Sequence, residues 1–140
     1  IARIQAQDAA RESERFLSNI FDSMQDGISV LDTNLNIVRV NSVMERWLAH
    51  AMPLVGKKCY EAFHRADEPC PVCPVRETCK AAQPAYQLIP VKGPYNQVLG
   101  WLDLYTFPVF DPESGKLTRV IEYVRNATDR KRAEDQPLQE

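Results

Sequence analysis

Four cysteines fall within 21 positions, spaced Cys59-X10-Cys70-X2-Cys73-X5-Cys79, and the chain holds no others. A thiolate is both a metal ligand and a redox group, and a short loop can bring four of them to one point. Four thiolates could hold structural zinc, or an iron–sulfur cluster that reports redox state or oxygen. The Cys70-X2-Cys73 pair, flanked by Pro69 and Pro74, looks like half of a metal knuckle, although the outer spacings match no common zinc pattern. Two other readings stay open. Cys70 and Cys73 could form a reversible dithiol, or all four thiols could be inert small hydrophobes. Sequence spacing alone does not separate them.

Other chemistry is sparse. His64 could ligate haem or replace a cysteine at a metal, but a lone histidine beside a loop is more often solvated. His50 falls at a helix end, a structural position. No Ser/His/Asp set, phosphate-binding glycine loop or paired-carboxylate motif is present, so nothing reads as catalytic. The composition is that of one soluble globular domain: 140 residues, 44% hydrophobic and 26% charged, which is enough for an ordinary core. A formal net charge of −2 gives no electrostatic footprint for nucleic acid. No apolar run reaches membrane-spanning length and no signal peptide is visible, so a cytoplasmic location with reduced thiols is expected and no membrane contact by this piece. Asn126-Ala127-Thr128 matches a glycosylation sequon without the secretory context it needs. The chain begins mid-pattern at Ile1 and reads as a fragment, whose parent could be membrane-anchored.

The elements that must position these groups follow from periodicity. Residues 1–25 read as one helix, with Ala6, Ala10, Ser13, Leu17, Ile20 and Met24 recurring at alternating spacings of four and three. That is a narrow coiled-coil-like seam, and it leads us to expect a homodimer through this helix. Phe16 and Phe21 should widen the stripe where the helix meets the core. Ile28–Leu31 and Ile37–Val40 read as a hairpin around Asp32–Asn36. Residues 42–48 read as a helix capped by Asn41 or Ser42, and residues 59–64 as a single helical turn. Pro74 suits the first position of a helix running to about Ala82. Strands are expected over 86–91, 99–110 and 117–125, with turns at Lys92–Pro94 and Asp111–Gly115. Trp47, Trp101, Tyr105 and Phe107 read as core and sheet packing. A charged helix should leave the domain over 126–135.

Several passages resemble the PAS domain of bacterial sensor proteins, over roughly residues 13–135. They are Ile20–Ile28, Asn36–Asn41, Leu54-Val55-Gly56-Lys57, Trp101–Val109 and Glu122–Lys131. The resemblance implies an α+β fold with a five-stranded antiparallel sheet and short helices on one face. It divides the chain into a signalling helix (1–25), a sensory domain (26–128) and an exit linker (129–140) toward an output domain outside this sequence. It implies a non-catalytic sensory and dimerisation module, such as that of a sensor histidine kinase. The cysteines Cys59, Cys70, Cys73 and Cys79 would be its metal or redox input. The alternatives are a module that binds a small molecule between sheet and helices, with structural cysteines, or a thiol-redox fragment. Light-sensing relatives carry a flavin-reactive cysteine after Gly-X-Asn. Gly56-Lys57-Lys58-Cys59 has the spacing but lacks the Asn, which argues against flavin. At the exit, Asn126 stands where the family commonly has Asp. That puts in doubt any signal relying on a carboxylate at this position.

Overall fold

The structure, a computed structural model, describes residues 2–64, 67–68 and 73–136, without the side chains of residues 2–4 and 64. Alternating β-branched and aromatic residues form β1 (Gly27–Asp32), β2 (Ile37–Val40), β3 (Ala85–Lys92), β4 (Val98–Phe110) and β5 (Leu117–Asn126). Every pairing is antiparallel, in the order β2-β1-β5-β4-β3. The β1–β2 turn is held by Asp32, whose carboxylate accepts from the amides of Asn34 and Asn36 (both 2.9 Å) and from Asn36 Nδ2 (3.0 Å). Leu35 takes a left-handed φ of 68° there, and its buried side chain offsets that cost. Pro108 sits in β4 past Thr106, where pairing with β3 has ended, so it occupies an edge position.

The helices are α1 (Ala2–Ser23), α2 (Ser42–Trp47), α3 (Cys59–His64), α4 (Pro74–Ala81) and α5 (Thr128–Asp135), with a 3₁₀ turn at Ala49–Ala51. These boundaries follow the sequence expectations closely. The hairpin between β3 and β4 turns later than expected, with the Gly93 amide bonded to the Gln97 carbonyl.

One buried side chain joins three segments. Asn41 caps α2 by accepting from the Met44 amide (3.2 Å), and also accepts from the Ile28 amide (3.1 Å). Its Nδ2 donates to the carbonyls of Phe21 (3.2 Å) and Asp26 (2.9 Å). The end of α1 is held further by Ser18 to Arg39, by Arg39 over the Phe21 ring, and by Asp22 to Ser42. Above this anchorage α1 stands clear. Phe16 is 65% and Leu17 62% exposed, so Phe16 does not meet the core as expected. The helix has passed the sheet before that turn is reached.

Strand alternation splits the sheet into two faces. Inward positions carry Gly27, Ser29 and Leu31 on β1, Val120, Glu122 and Val124 on β5, and Leu104 and Thr106 on β4, all buried. The apolar interior is two clusters. One gathers Leu31, Ile37, Leu54, Val75 and Val120 beneath α3 and α4, and the other Met44, Leu104 and Val124. Ser29, Glu122 and Thr106 are direct cross-strand neighbours between them. Thr106 shares a 2.6 Å hydrogen bond with Thr78 of α4. The opposite face carries Tyr105, Phe107 and Tyr123. Phe107 (40% exposed) therefore packs on the sheet, stacked on Tyr105 with centroids 6.5 Å apart, rather than in the core, and Trp47 (42% exposed) is only partly covered. Outward alternation places Phe107 on the face away from the helices.

Candidate functional site

The predicted metal residues lie at one end of the interior. Cys59 opens α3 and is buried in the first cluster, its amide bonded to the Leu35 carbonyl at 2.9 Å. Cys73 caps α4 without a side-chain hydrogen bond, and Cys79 lies in the helix. Both pack against the cluster that contains Cys59. Burial pushes the Cys79 thiol above its ordinary pKa, and neighbouring Cys73 adds to the shift. Cys79 also lines an open cavity of about 250 Å³ with Arg76 and Lys80. Cys70 lies outside the described residues, as does the side chain of His64. Among the described residues, no three His, Cys, Asp or Glu side chains gather into a metal-ligand group. Three of the four cysteines thus share a neighbourhood, and those three by themselves do not form a ligand set.

A second arrangement lies on the outer face, and sequence reading missed it. Tyr86, Tyr105 and Tyr123 are paired across β3, β4 and β5. Their ring centroids are 4.8 Å (Tyr86–Tyr105) and 6.2 Å (Tyr105–Tyr123) apart. Each end of this row finishes on an aspartate and an arginine. At one end the Tyr123 hydroxyl donates to Asp26, in the link from α1 into β1, and Arg125 lies 3.6 Å from the same carboxylate. At the other, the Tyr86 hydroxyl donates to Asp103 at 2.6 Å, and Arg130 of α5 grips Asp103 with two bonds of 2.7 and 2.8 Å.

The electrostatics follow the geometry. The Arg130 fork, helped by the Tyr86 hydroxyl, outweighs burial and holds the Asp103 carboxyl below its ordinary pKa. The hydrogen bond to Asp103 raises the Tyr86 phenol, and the one to Asp26 raises Tyr123. Asp103 is completely buried although it faces outward, roofed by Tyr86 and Arg130.

The exit is tied a second time. Thr128 Oγ1 accepts from the Trp101 amide at 3.0 Å, and Lys131 lies over the Trp101 ring at 5.3 Å. A Cβ at Gly100 would meet Thr128 Oγ1 at 2.7 Å, so only glycine lets the helix start this close. Asn126 makes a local turn, accepting from the Thr128 amide at 3.0 Å. The charge-assisted pair that Asn126 cannot form is made instead by Asp103, 27 residues before Arg130. Outward alternation in β4 and the basic run in α5 were visible in the sequence, but joining them needs the strand register.

Comparison with known proteins places this architecture. The description of the PAS fold (the PAS_4 family) matches residues 21–132. A PAS domain from Colwellia psychrerythraea shares 16% identity with a TM-score of 0.59, covering 82% of this chain and 97% of that one. The PAS domain of Bordetella pertussis BvgS shares 16% identity with a TM-score of 0.61, covering 91% and 95%. A sensory box sensor histidine kinase from Vibrio cholerae shares 16% with a TM-score of 0.52, covering 86% and 93%. The comparison with curated proteins found no match. Among the described residues no helix is long and apolar enough to cross a membrane. With most of its length matched and its five antiparallel strands and helices in the family's order, the chain belongs to the PAS fold family.

Proposed function

We propose that this chain is a non-catalytic sensory and dimerisation module of a signal-transduction protein, with α1 and α5 as its two connections. PAS domains are generally regulatory modules, and several structural neighbours come from histidine kinases. On this reading α1 pairs with a second copy through Leu17 and Ile20, and α5 leads to an output domain such as a histidine kinase. The supporting observation is the pair of Tyr–Asp–Arg junctions, at Asp26 and Asp103, joined by the tyrosine row. A shift at either helix meets a charge-assisted anchor on the sheet rather than a loose linker.

The test is a chimera carrying this domain ahead of a histidine kinase catalytic core. Arg130→Gln and Tyr105→Leu should change autophosphorylation at least severalfold while the domain stays folded by circular dichroism. Unchanged output from both folded variants would remove the junctions from the signal route.

A second reading puts a zinc ion or an iron–sulfur cluster on Cys59, Cys70, Cys73 and Cys79. It is favoured by the three described cysteines sharing one cluster, and weakened by the absence of a ligand group among the described residues. Metal analysis and absorption spectra of anaerobically purified protein test it. Less than a tenth of an equivalent of zinc or iron would leave the cysteines as packing residues.

A further inference from the structure

The interior contains an acid that the tyrosine row and the cysteines do not use. Glu122 is only 7% exposed, and its side chain makes no hydrogen bond or ion pair with the described residues. Its neighbour across the β1–β5 ladder is Ser29, fully buried, whose Oγ has no hydrogen-bond partner. Across the β5–β4 ladder it faces Thr106, whose hydroxyl is already engaged with Thr78 and the Pro74 carbonyl (3.3 Å). Val120 and Val124 flank it, each belonging to a different apolar cluster. A buried carboxylate with no cation is unfavourable, whereas a carboxylic acid carries a donor that Ser29 or Thr106 can accept.

Among the described residues no other charge compensates it. On β1 and β4 the inward neighbours Gly27, Ser29, Leu31, Leu104 and Thr106 are uncharged. On the helices above, Glu61, Arg76, Glu77 and Lys80 are exposed, and Arg46 on α2 is exposed with Glu45 half-buried. Cys59, Tyr60, Cys73 and Cys79 belong to or pack against the first cluster, none of them a cation, and the half-buried Lys57 gives its Nζ to the Ala51 carbonyl at 2.6 Å.

We propose that Glu122, with Ser29 and Thr106, is a proton-binding site whose ionisation loosens α4 from the sheet, so that the domain responds to pH. The proposal rests on the sensory reading above and names one signal for it. Thr106 is the link, because it adjoins Glu122 in the sheet and holds α4 through Thr78 and the Pro74 carbonyl. When the acid loses its proton, the charge draws water toward it at the expense of the adjoining Thr106–Thr78 contact.

Burial raises the Glu122 pKa from 4.5 to about 7, within the physiological range. Because the folded value is the higher one, the proton's stabilisation is full below about pH 4.5 and is lost as pH rises to about 7. That interval corresponds to roughly a 300-fold fall in the folding equilibrium constant.

The experiment follows the side-chain carboxyl by ¹³C NMR in glutamate-labelled protein, assigned by its loss in Glu122→Gln. Amide hydrogen exchange in residues 75–81 is measured over the same pH range, after correction for intrinsic rates. A Glu122 midpoint between about 6 and 8, with α4 exchange rising at least tenfold through it, is the expected result. A midpoint below about 5.5, or a midpoint near 7 with α4 exchange unchanged, overturns the proposal. Both readouts use the wild-type domain, so they stand even if Glu122→Gln folds poorly and the assignment is made through Glu122→Asp. Neither depends on kinase output, so failure here is distinguishable from failure of the sensory reading.

Discussion

Replacing Asp103 with alanine removes the group on which Tyr86 and α5 both close. Three hydrogen bonds to a carboxylate are lost, at 2.6, 2.7 and 2.8 Å. Bonds to a charged group contribute about 1.5–3 kcal/mol each when both partners are shielded. Here the shielding is one-sided. The Asp103 side chain is 1% exposed, but that of Arg130 is 47% and Tyr86 is 50% exposed, so water takes over much of what their donors lose. The discounted expectation for Asp103→Ala is a loss of about 2–3 kcal/mol. Asp103→Asn keeps an acceptor for Tyr86 and should lose roughly half as much. The assay is urea unfolding at pH 7 followed by tryptophan fluorescence, since Trp101 lies beside the α5 junction. The difference between wild type and Asp103→Asn also has a pH signature. The folded carboxyl pKa is depressed, so its stabilisation is present above the ordinary value of 3.8 and is lost as pH falls through the folded value. The two proteins should therefore converge in acid. A loss under about 0.5 kcal/mol for Asp103→Ala, or a difference that persists unchanged to pH 2, would refute the reasoning that this pair anchors the exit helix.

Leu17→Asp and Ile20→Asp alter exposed positions, so unfolding of the monomer should shift by no more than about 0.5 kcal/mol while sedimentation shows loss of self-association. Wild-type protein that sediments as a monomer at high concentration would end the dimer proposal. Gly100→Ala should push Thr128 off the Trp101 amide and raise hydrogen exchange over residues 128–135 severalfold, leaving β5 protected; unaltered exchange would contradict it. Ala82 ends α4 in a left-handed conformation with φ 55°, so Ala82→Gly should raise stability by about 0.5–1 kcal/mol in urea melts.

Element positions were legible because local chemistry sets them. Asn41 reads as a cap, Pro74 as a first helical residue, and the alternation from Leu99 to Phe107 as a strand. The five-stranded antiparallel sheet came through the family resemblance, and its strand order only with the structure. The tyrosine row was not legible, since Tyr86, Tyr105 and Tyr123 meet only through a register that no local pattern encodes. Glu122 did leave a trace, as an acid on the inward stripe between Val120 and Val124. Phe16 was misplaced because a stripe of apolar residues does not show where α1 leaves the sheet, and Phe107 packs on the sheet beside Tyr105 rather than in the core because strand parity turns it outward. Of the cysteines, Cys59, Cys73 and Cys79 belong to or pack against one apolar cluster without forming a ligand group among the described residues, and Cys70 lies outside them.

The bonds of Asn41 bear on where this domain can be cut. A boundary at residue 25 or 26 looks natural in the sequence, yet Asn41 Nδ2 is satisfied by the carbonyls of Phe21 and Asp26. A chain trimmed to begin at residue 26 would strip the Phe21 partner from a fully buried amide and release the Arg39 and Ser42 contacts with it. The mechanical joint therefore lies higher, near Phe16 and Leu17, where contacts with the domain stop. From there up, the described part of α1 extends about 25 Å clear of the domain, at about 1.5 Å per residue over some 16 positions. Its last turn belongs to the domain body, so any twist applied to α1 would reach the start of β1 and the cap of α2 together.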